Sequence, residues 1–407
     1  MNILIVTPYG FRPHVRSFPE YVLARALVNL GHQVSAVTYA QAEDPASETV
    51  DCNIKAHRLR AYRGLYPALF RVVFSQHWDI IHIFHQRNQL AKWSVLLAKL
   101  SKTPVILSEA GLLHDPFLSE NRERPLATSP TYSRVVSSLI GAIRSALDGE
   151  DTLSSAFKSW LFHIPLYKSD LVLCLSAHNL KLAPGLHLRP GRVQWVSHFF
   201  DESLYSPPAS PPESIASLTR PIVLFIGQLK LRKGFDVFVK AAPRILQEFP
   251  TAQFVLVSGN VANMKALRDL VHQSDCGDRI VLFKEASNLE KDALLSISDV
   301  LAMPSRYEGF GVPMVEAFAA GCPVVATDVV AINETIRNGE NGLLVTPEDP
   351  AALADGILRV LQSQDLRDKL IEGGLQSLQD LRVEKHVGQV MQIYDHLASS
   401  GGEEVAA

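Results

Sequence analysis

The chain has 407 residues, of which 47% are hydrophobic and 20% are charged, and its formal net charge is −3. A chain of this length usually divides its apolar residues between two cores, so two domains are expected. The nearly balanced charge argues against a nucleic-acid-binding protein. No apolar run approaches the about 20 residues that are needed to span a bilayer.

The N-terminus and the cysteines indicate a cytoplasmic protein. The first residues, MNILIVTPYG, form a short apolar run without a basic flank, which predicts a first strand rather than a signal peptide. The cysteines lack the spacing of metal ligands, and we interpret them as reduced thiols. They are Cys52, Cys174, Cys276 and Cys322.

Short β-branched runs alternate with amphipathic stretches in the first half of the chain. The strand candidates, in order, are NILIVT, QVSAVT, DIIHIF, PVILSE, LVLCLS and VQWVSH. In the first helical stretch, Tyr21, Ala24, Leu27 and Val28 share one face, and Gly31 stands where a C-cap glycine belongs. This alternation predicts a parallel sheet with helices on both faces.

A long insertion at about residues 111–168 interrupts this alternation, because strands joined by a crossover are normally closer in sequence. Its second part has the pattern of two amphipathic helices. We favour extra helices packed on the first domain. The alternative is an acceptor-side element or a peripheral contact with the inner membrane face, because the apolar residues 160–162 stand near Lys158 and Lys168.

A proline-rich stretch at residues 206–219, SPPASPPESIASLT, predicts an interdomain linker, because it suits neither a strand nor a helix interior. It would separate an N-terminal domain, 1–205, from a second domain, 220–385, followed by a last helix and tail, 386–407. The second domain has its own strand candidates, PIVLFIG, QFVLVSG, RIVLF, DVLAMPS, PVVATD and GLLVTP.

Two glutamates flank a glycine loop in PSRYEGFGVPMVEAFAAGCPVV. Glu308 follows a strand, where open α/β sheets bind ligands. Glu316 lies about one turn into the following helix and leans toward its N-terminus. A carboxylate accepts two hydrogen bonds from a vicinal diol such as ribose, and a glycine loop at a helix start suits a diphosphate. Such a pair alone is more often a surface feature.

A basic turn follows the first strand of the second domain, in PIVLFIGQLKLRKGFDVFVKAA. Lys230, Arg232 and Lys233 stand just before a helix, where cations are unfavourable unless an anion lies between them. A phosphate would fill that role. A solvated basic turn is the simpler alternative.

Together these stretches resemble the donor site of the family-4 glycosyltransferases, which have the GT-B fold. PSRYEGFGVPMVEAFAAGCPVVATD has the E-x7-E spacing, and FIGQLKLRKGFD, ISDVLAMPS and NGENGLLVTPEDPAALADGI agree in order. LARALVNLGHQVSAVT, DIIHIFH and SHFFDESLYSP extend the resemblance to the first half. It is strongest from Pro221 to about Leu361. The implied fold class is α/β, with two facing Rossmann-like domains, an interdomain cleft and a last helix that crosses back to the first domain.

The resemblance implies a retaining, metal-independent hexosyltransferase. It would use a nucleotide-diphosphate sugar as donor and a polysaccharide, a lipid-linked sugar or a small molecule as acceptor. No cofactor or metal is expected, and the chain has no Asp-x-Asp motif. The sequence specifies neither the donor base, the sugar, the acceptor nor the oligomeric state.

The family pattern transfers to individual residues here. Glu308 and Lys233 would be catalytic, with Glu308 beside the transferred sugar and Lys233 neutralising the leaving diphosphate. Glu316 would bind the ribose hydroxyls. The implied substrate-binding residues are Gly227, Gln228, Lys233, Gly309, Phe310, Gly311, Val312 and Glu316.

Three positions depart from the family pattern. Gln228 stands where the family usually has arginine, and an amide does not neutralise a phosphate; Lys230 or Arg232 would have to compensate. The first domain lacks the usual glycine pair and has His14 and Arg16 nearby. Ala110 replaces a usual histidine, with Glu109 and His114 as neighbours.

Two strand histidines complete the candidates. We interpret His82 as structural and His85 as a substrate contact. The departures leave two alternative functions, a GT-B module that binds nucleotide sugar without turnover and a nucleotide-sugar epimerase. A dehydrogenase is disfavoured, because neither domain's first strand leads into G-x-G-x-x-G.

Overall fold

The structure is a computed structural model of the whole chain. It describes residues 1–400 except 9, 13–17, 42, 63–64, 87, 110–138, 148–152, 187, 189, 260–262, 275 and 285. The chain forms two compact units. The first contains Met1–Phe199 and Val383–Ala407, and the second contains Phe200–Arg382.

The first unit is built on an eight-stranded sheet with the order β3-β4-β2-β1-β5-β6-β7-β8. Every neighbouring pair is parallel except β3 with β4. The strands are β1 (Asn2–Val6), β2 (Gln33–Tyr39), β3 (Ser47–Val50), β4 (Ile54–Leu59), β5 (Ile80–Phe84), β6 (Val105–Glu109), β7 (Leu171–Cys174) and β8 (Val193–Trp195). The sequence predicts all of these except β3 and β4, which lie at one edge.

Helices cover this sheet. They are α1 (Pro19–Asn29), α2 (Pro67–Val73), α3 (Gln89–Ser101), α4 (Leu139–Leu147), α5 (Leu153–Lys168) and α6 (Ala177–Leu182). In α1, the predicted face is buried at Tyr21, Ala24 and Leu27, and Gly31 follows the helix with a φ of +88°. In the described part of the insertion, α4 packs on α5 and α5 packs on α3.

The second unit contains a six-stranded sheet, all parallel, with the order β11-β10-β9-β12-β13-β14. Its strands are β9 (Ile222–Ile226), β10 (Gln253–Ser258), β11 (Ile280–Lys284), β12 (Val300–Met303), β13 (Val324–Thr327) and β14 (Leu343–Val345). All six were predicted from the sequence. The helices are α7 (Glu213–Ala216), α8 (Phe235–Glu248), α9 (Met264–Gln273), α10 (Asn288–Ile297), α11 (Val312–Ala320), α12 (Ile332–Thr335), α13 (Pro350–Gln362) and α14 (Gln364–Leu381).

Strand β9 shows how the second unit is layered. Val223 and Phe225 belong to one core together with residues of α8 and α13, while Ile222 and Leu224 belong to another with residues of α10 and α11. Because side chains alternate across a strand, a nearly continuous apolar run supplies both faces of the sheet.

The proline-rich stretch packs with the second unit. Ile215 is 1% exposed within the core that includes Leu224, and the backbone N–H of Ser206 donates to Asp292 Oδ2 at 3.3 Å. Four residues form the single-turn helix α7, contrary to the expectation of a stretch without helix. The short turn is compatible with the prolines because they precede it.

The chain returns to the first unit in helix α15 (Val383–Ser399), which packs against α1 and β5. His82 of β5 forms hydrogen bonds with Tyr394 Oη at 2.5 Å and Ser108 Oγ at 2.7 Å. Burial lowers the pKa of His82 to about 3. The imidazole is therefore neutral, and it supports the core rather than a site. Across the part of the chain that the structure describes, no helix is both long enough and apolar enough to cross a membrane.

Candidate functional site

The winding of the second sheet reverses between β9 and β12. The chain passes from β9 through α8 to β10 on one side, and from β12 through α11 to β13 on the other. Loops that leave neighbouring strands in opposite directions open a crevice at the carboxyl edge, where α/β sheets bind ligands. The basic turn and the glycine loop of the sequence analysis both lie at this point.

The two loops are joined through their backbones. Gly234 has a φ of +72°, and a Cβ on it would lie 1.9 Å from the carbonyl oxygen of Pro304. The N–H of Arg306 donates to the carbonyl of Arg232 at 2.8 Å. Arg306 also donates two hydrogen bonds to Asp236, each of 2.8 Å. The side chains that the loops carry are thereby held in a fixed relation.

Glu308 is the centre of a buried ionic cluster. It is 4% exposed, and its Oε1 accepts hydrogen bonds from Lys233 Nζ at 2.5 Å and Ser305 Oγ at 2.8 Å. Arg232 lies 3.9 Å from Oε2. Glu308 and Lys233 thus come together from separate loops.

Glu308 is ionised in this setting. Burial alone would raise the pKa of its carboxyl group, but the attraction of Lys233 and then Arg232, with the bonds from Lys233 and Ser305, outweighs burial. The pKa of Glu308 therefore lies below its ordinary value. A carboxylate held in this way can stabilise positive charge on a ligand without first losing a proton.

Glu316 has a lysine partner as well. It is 5% exposed on α11, and its Oε1 accepts a hydrogen bond from Lys291 Nζ at 2.5 Å. Lys291 lies near the start of α10, which follows β11, so it stands at the same edge of the parallel sheet. The two glutamates of the E-x7-E spacing are each bound to a lysine.

The glycine loop leads directly into α11. Gly311 is the N-cap residue with a φ of +95°, and Pro313 lies in the first turn. Phe310 is 7% exposed because its ring belongs to the core. Val312 packs against the same core, and Gly309 is half-buried. At Phe310 the backbone, rather than the ring, is therefore the part suited to a ligand.

The remaining predicted residues line the basic turn. A Cβ on Gly227 would lie 3.6 Å from Lys233 Cγ, so this glycine lies against the lysine chain. Gln228 is exposed, and Lys230 is half-buried. Gln228 forms no part of the ionic cluster around Glu308, which has Arg232 and Lys233 as its cations.

The sequence analysis missed four residues of this edge, namely Ser305, Arg306, Asp236 and Lys291. Ser305 and Arg306 stand inside the quoted signature, and Asp236 follows the basic turn, so their proximity offered a signal. Lys291 offered none, since it comes from a separate helix.

The first sheet has its own reversal, between β1 and β5. Thr7 follows β1, His85 follows β5 with a φ of +64°, and Glu20 lies in the first turn of α1. Glu20 is 0% exposed and its Oε1 accepts a hydrogen bond from Thr7 at 2.8 Å, whereas its Oε2 has no hydrogen-bond partner in the structure. Burial raises the pKa of Glu20. The sequence analysis gave this carboxyl group no role.

Several first-domain candidates fall elsewhere. His14, Arg16, Ala110 and His114 lie outside the described residues. Glu109 ends β6, and its Oε2 accepts a hydrogen bond from the backbone N–H of Gln86 at 2.9 Å.

Comparisons with known families identify the family to which the chain belongs. The model described as glycosyl transferases group 1 matches residues 209–377, and the model described as glycosyl transferase 4-like domain matches residues 21–138. The chain belongs to the group 1 glycosyltransferases. It is thus an enzyme of a family that uses nucleotide-sugar donors, as its sequence predicts.

A curated relative covers the whole length of this glycosyltransferase. The phosphatidyl-myo-inositol mannosyltransferase of Mycobacterium leprae is 24% identical over 428 residues, which is 99% of each chain. Alignments with other relatives span about half of those proteins or less, 48% of one and 44% of another.

Solved structures show the fold of the glycosyltransferase. Sucrose-phosphate synthase from Thermosynechococcus elongatus superposes with a TM-score of 0.74 at 21% identity, covering 98% of this chain and 99% of that one. HepE from Anabaena, in complex with UDP and glucose, gives 0.72 at 19% identity, covering 98% and 100%. The predicted α/β class with GT-B architecture is confirmed.

Proposed function

We propose that this glycosyltransferase transfers a hexosyl group from a nucleoside diphosphate sugar with retention of anomeric configuration and without a metal ion. The observation that carries the proposal is the charged cluster at the β9–β12 reversal. Lys233 and Arg232 stand beside an ionised Glu308, next to the start of α11. Paired cations and a helix N-terminus suit a diphosphate, and the carboxylate suits the sugar that it carries.

Lys233 has the central electrostatic role in this proposal. Bond cleavage between sugar and diphosphate places negative charge on the departing oxygen, and a preorganised ammonium group stabilises that charge. Lys233 donates a hydrogen bond to Glu308. The entering diphosphate competes for the same Nζ, so the donor itself reorganises the pair. Arg232 adds a second positive charge to the cluster, to which Gln228 contributes none.

Glu308 then acts on the sugar. Glycosyl transfer passes through a state with positive charge at the anomeric carbon, and a nearby carboxylate lowers its energy. Because the pKa of Glu308 lies below its ordinary value, the anionic form is available at neutral pH. Glu316 would accept hydrogen bonds from the ribose diol. The backbone of Gly309, Phe310, Gly311 and Val312 would contact the sugar and the diphosphate.

Acceptor binding is assigned to the first unit, with 206–219 as the connecting stretch. His85 follows β5 at the edge of the first sheet and is half-buried, and its imidazole group suits the hydroxyl groups of an acceptor. The M. leprae relative is named for the mannosylation of phosphatidyl-myo-inositol, a lipid with a polyol headgroup. This supports a polyol or lipid-linked acceptor. Ile140 and Leu147 are 67% and 80% exposed on α4, which supports a peripheral membrane contact through the insertion.

The alternative of a binding module without turnover rests on Gln228, which is exposed and uncharged at the position of the family arginine. The buried cluster around Glu308 favours the enzyme over this alternative. Keeping an ionised carboxylate and two cations in a largely buried place costs desolvation free energy that binding alone does not require. An epimerase would differ by altering the donor when no acceptor is present.

The experiment begins with a thermal-shift titration with UDP, GDP, ADP and their common sugar conjugates in the presence of a chelator. A ligand that binds only the folded state raises the melting temperature. The selected donor is then incubated with inositol and alkyl glycoside acceptors, and the anomeric configuration of the product is read by NMR. A selective shift followed by a retained linkage supports the proposal. Binding without product favours the module, and conversion of the donor alone favours the epimerase.

A further inference from the structure

The second glutamate of the signature has a partner that the signature does not contain. Lys291 comes from α10, and its Nζ donates to Glu316 Oε1 at 2.5 Å. The side chains of the two residues are 19% and 7% exposed. The pair therefore stands at the edge of the site, with the carboxylate largely enclosed and the ammonium group reaching it from the neighbouring helix.

A carboxylate that recognises a vicinal diol must present its oxygens in one orientation. The side chain of Glu316 has several rotatable bonds, and an ion-paired hydrogen bond restricts them at the start. Lys291 holds Oε1, which sets the plane of the carboxylate and the direction in which Oε2 points. An ionised carboxylate accepts hydrogen bonds but donates none, which suits it to a diol.

We propose that Lys291 is a positioning residue for ribose recognition, which fixes the Glu316 carboxylate so that it accepts hydrogen bonds from the 2′- and 3′-hydroxyls of the donor nucleoside. The inference rests on the proposed function, because it takes Glu316 as the ribose contact. It goes further in naming the residue on which that contact depends and the element that supplies it.

A purely structural role accounts less well for this pair. Helices α10 and α11 already pack through apolar residues, including Ala293, Leu294 and Val315. A buried ion pair adds little net stability compared with apolar side chains of similar size. Asp292, beside Lys291, accepts a hydrogen bond from the backbone N–H of Ser206, so the linker already has its own anchor on α10.

The chain offers a matched control for Lys291. Lys265 and Asp269 form a lysine–carboxylate pair on α9 at 2.9 Å, in the same unit, but Lys265 is 92% exposed. Removing this lysine changes the net charge of the unit by the same amount as removing Lys291. It leaves the β9–β12 edge untouched, because neither residue belongs to it.

The test compares the affinities of two ligands that differ by one hydroxyl group. Isothermal titration measures the Kd of the selected nucleoside diphosphate (UDP, GDP or ADP) and of its 2′-deoxy analogue. In the parent protein we expect about 10- to 100-fold weaker binding of the deoxy analogue, since a hydrogen bond to a charged group is lost. In Lys291→Met this ratio falls to about 3-fold or less, Lys291→Arg restores most of it, and Lys265→Met keeps the parental ratio. Lys291→Gln, which keeps a polar group of similar length, gives a second variant if the methionine protein does not fold.

The outcomes separate the inference from the proposed function. If Lys291→Met and Lys291→Gln keep the parental ratio while Glu316→Gln loses it, Glu316 contacts the ribose without help and the inference is wrong. If Glu316→Gln also keeps the ratio, the ribose assignment itself fails. If no nucleoside diphosphate binds the parent protein, the donor site fails and the inference fails with it. Equal losses of affinity for both ligands in Lys291→Met, with an unchanged ratio, would also count against the inference, because they indicate a general loss of charge or structure.

Discussion

The two units carry the same kind of sheet edge but different chemistry on it. In each, the winding reverses between two central parallel strands, β1 and β5 in the first unit and β9 and β12 in the second. The second edge has two lysine–glutamate pairs with an added arginine. At the first edge, the hydroxyl group of Thr7 donates a hydrogen bond to Glu20. Glu20 is a buried carboxyl group whose pKa is raised by burial.

In the proposed function, similar sheet edges in the two units bind two kinds of ligand. The backbone reverses its winding at this point in both units, and under the proposal the side chains there determine whether an anion or a neutral hydroxyl group binds. Paired lysines suit a diphosphate with its ribose. Under the same proposal, the half-buried imidazole of His85 at the first edge suits an acceptor.

The surfaces of the two units differ as well. In the described part of the second unit, the exposed large apolar side chains are Leu231, Leu289 and Leu375. The first unit has many more, and α4 contributes a run of them. The exposed large apolar residues of α4 are Leu139, Ile140, Ile143 and Leu147. A lipid-linked acceptor would meet the unit that shows this apolar surface.

The first prediction, with the greatest change, concerns Glu308 in the charged edge, by which we mean the β9–β12 edge with its lysine–glutamate pairs. Glu308→Gln keeps the shape of the side chain but removes the charge that stabilises the anomeric carbon. We expect turnover to fall by about 100- to 1,000-fold with donor affinity changed little, as for loss of one preorganised electrostatic group. Steady-state kinetics measure kcat, with Glu340→Gln as a control, because Glu340 pairs with Arg337 in an exposed place. Parental kcat in Glu308→Gln would remove the proposed role.

The second prediction uses pH to test the pairing of Lys233 with Glu308. In the parent, the pKa of Glu308 lies below its ordinary value of 4.5, so its ionisation contributes stability above that pH and the contribution is lost as pH falls through the folded pKa. In Lys233→Met burial remains while the largest attraction is gone, so we expect the pKa of Glu308 to rise above 4.5.

The stability of the variant should then decrease as pH rises through that raised pKa. We expect Lys233→Met to be about 3 kcal/mol less stable than the parent at neutral pH and closer to it near pH 4. Urea unfolding at a series of pH values measures the free energies. A difference that does not change with pH would mean that Glu308 does not depend on Lys233 for its charge.

The third prediction tests whether the two loops of the charged edge form one rigid pair. Gly234→Ala places a Cβ against the Pro304 carbonyl at a residue with a φ of +72°. We expect a loss of roughly 2–4 kcal/mol in unfolding free energy, from the clash together with left-handed strain. In Gly259→Ala, where a Cβ meets nothing within 4 Å, the change should be small. Comparable stability of the two alanine variants in urea would argue against the close backbone contact.

The fourth prediction concerns Glu316, the proposed ribose contact. Glu316→Ala should raise the Kd for the nucleoside diphosphate by about 10- to 100-fold, because hydrogen bonds to a charged group are lost. Turnover at saturating donor should fall much less than in Glu308→Gln. Isothermal titration and kinetics together show the split between the two glutamates. Unchanged affinity would remove the ribose assignment.

The last prediction, with the least change, concerns Glu20 at the β1–β5 edge of the first unit. Glu20 has a pKa raised above its ordinary 4.5 by burial, so the folded state holds its proton longer than the unfolded state. The stability that this gives is present at low pH and is lost as pH rises through the folded pKa. The electrostatic interaction of Glu20 with His85 opposes this rise in pKa.

Glu20→Gln removes this titration while keeping an acceptor for Thr7. Between pH 5 and 8 we expect the stability of the variant to rise relative to that of the parent as pH increases, because only the parent loses the contribution of the protonated Glu20. Melting curves across that range measure it, and Glu43→Gln, at an exposed position, is the control. Parallel pH profiles for Glu20→Gln and the parent would show that Glu20 is charged in the folded protein.

The fold was largely accessible from sequence because most strands here are enclosed. A strand covered on both faces needs a nearly continuous apolar run, as in NILIVT or PIVLFIG, and such runs stand out. β3 and β4 were missed because they lie at the edge of the first sheet. β3 has no buried residue, and β4 alternates buried with exposed positions at its start, so neither shows the continuous apolar pattern.

For the candidate site, the local arrangement of the key residues could be predicted from the sequence. Glycines and charged residues directly after strands place Glu308, Lys233 and Glu316 at one edge, because parallel strands bring their carboxyl ends together. The pairing of these groups could not be predicted in this way, because it depends on how the helices pack. Lys291 reaches Glu316 only because α10 packs beside α11. The pKa of Glu20 is raised only because the first unit buries its carboxyl group. The charge of a side chain depends on its burial and on its distance from other charges. Neither can be derived from the spacing of residues along the chain.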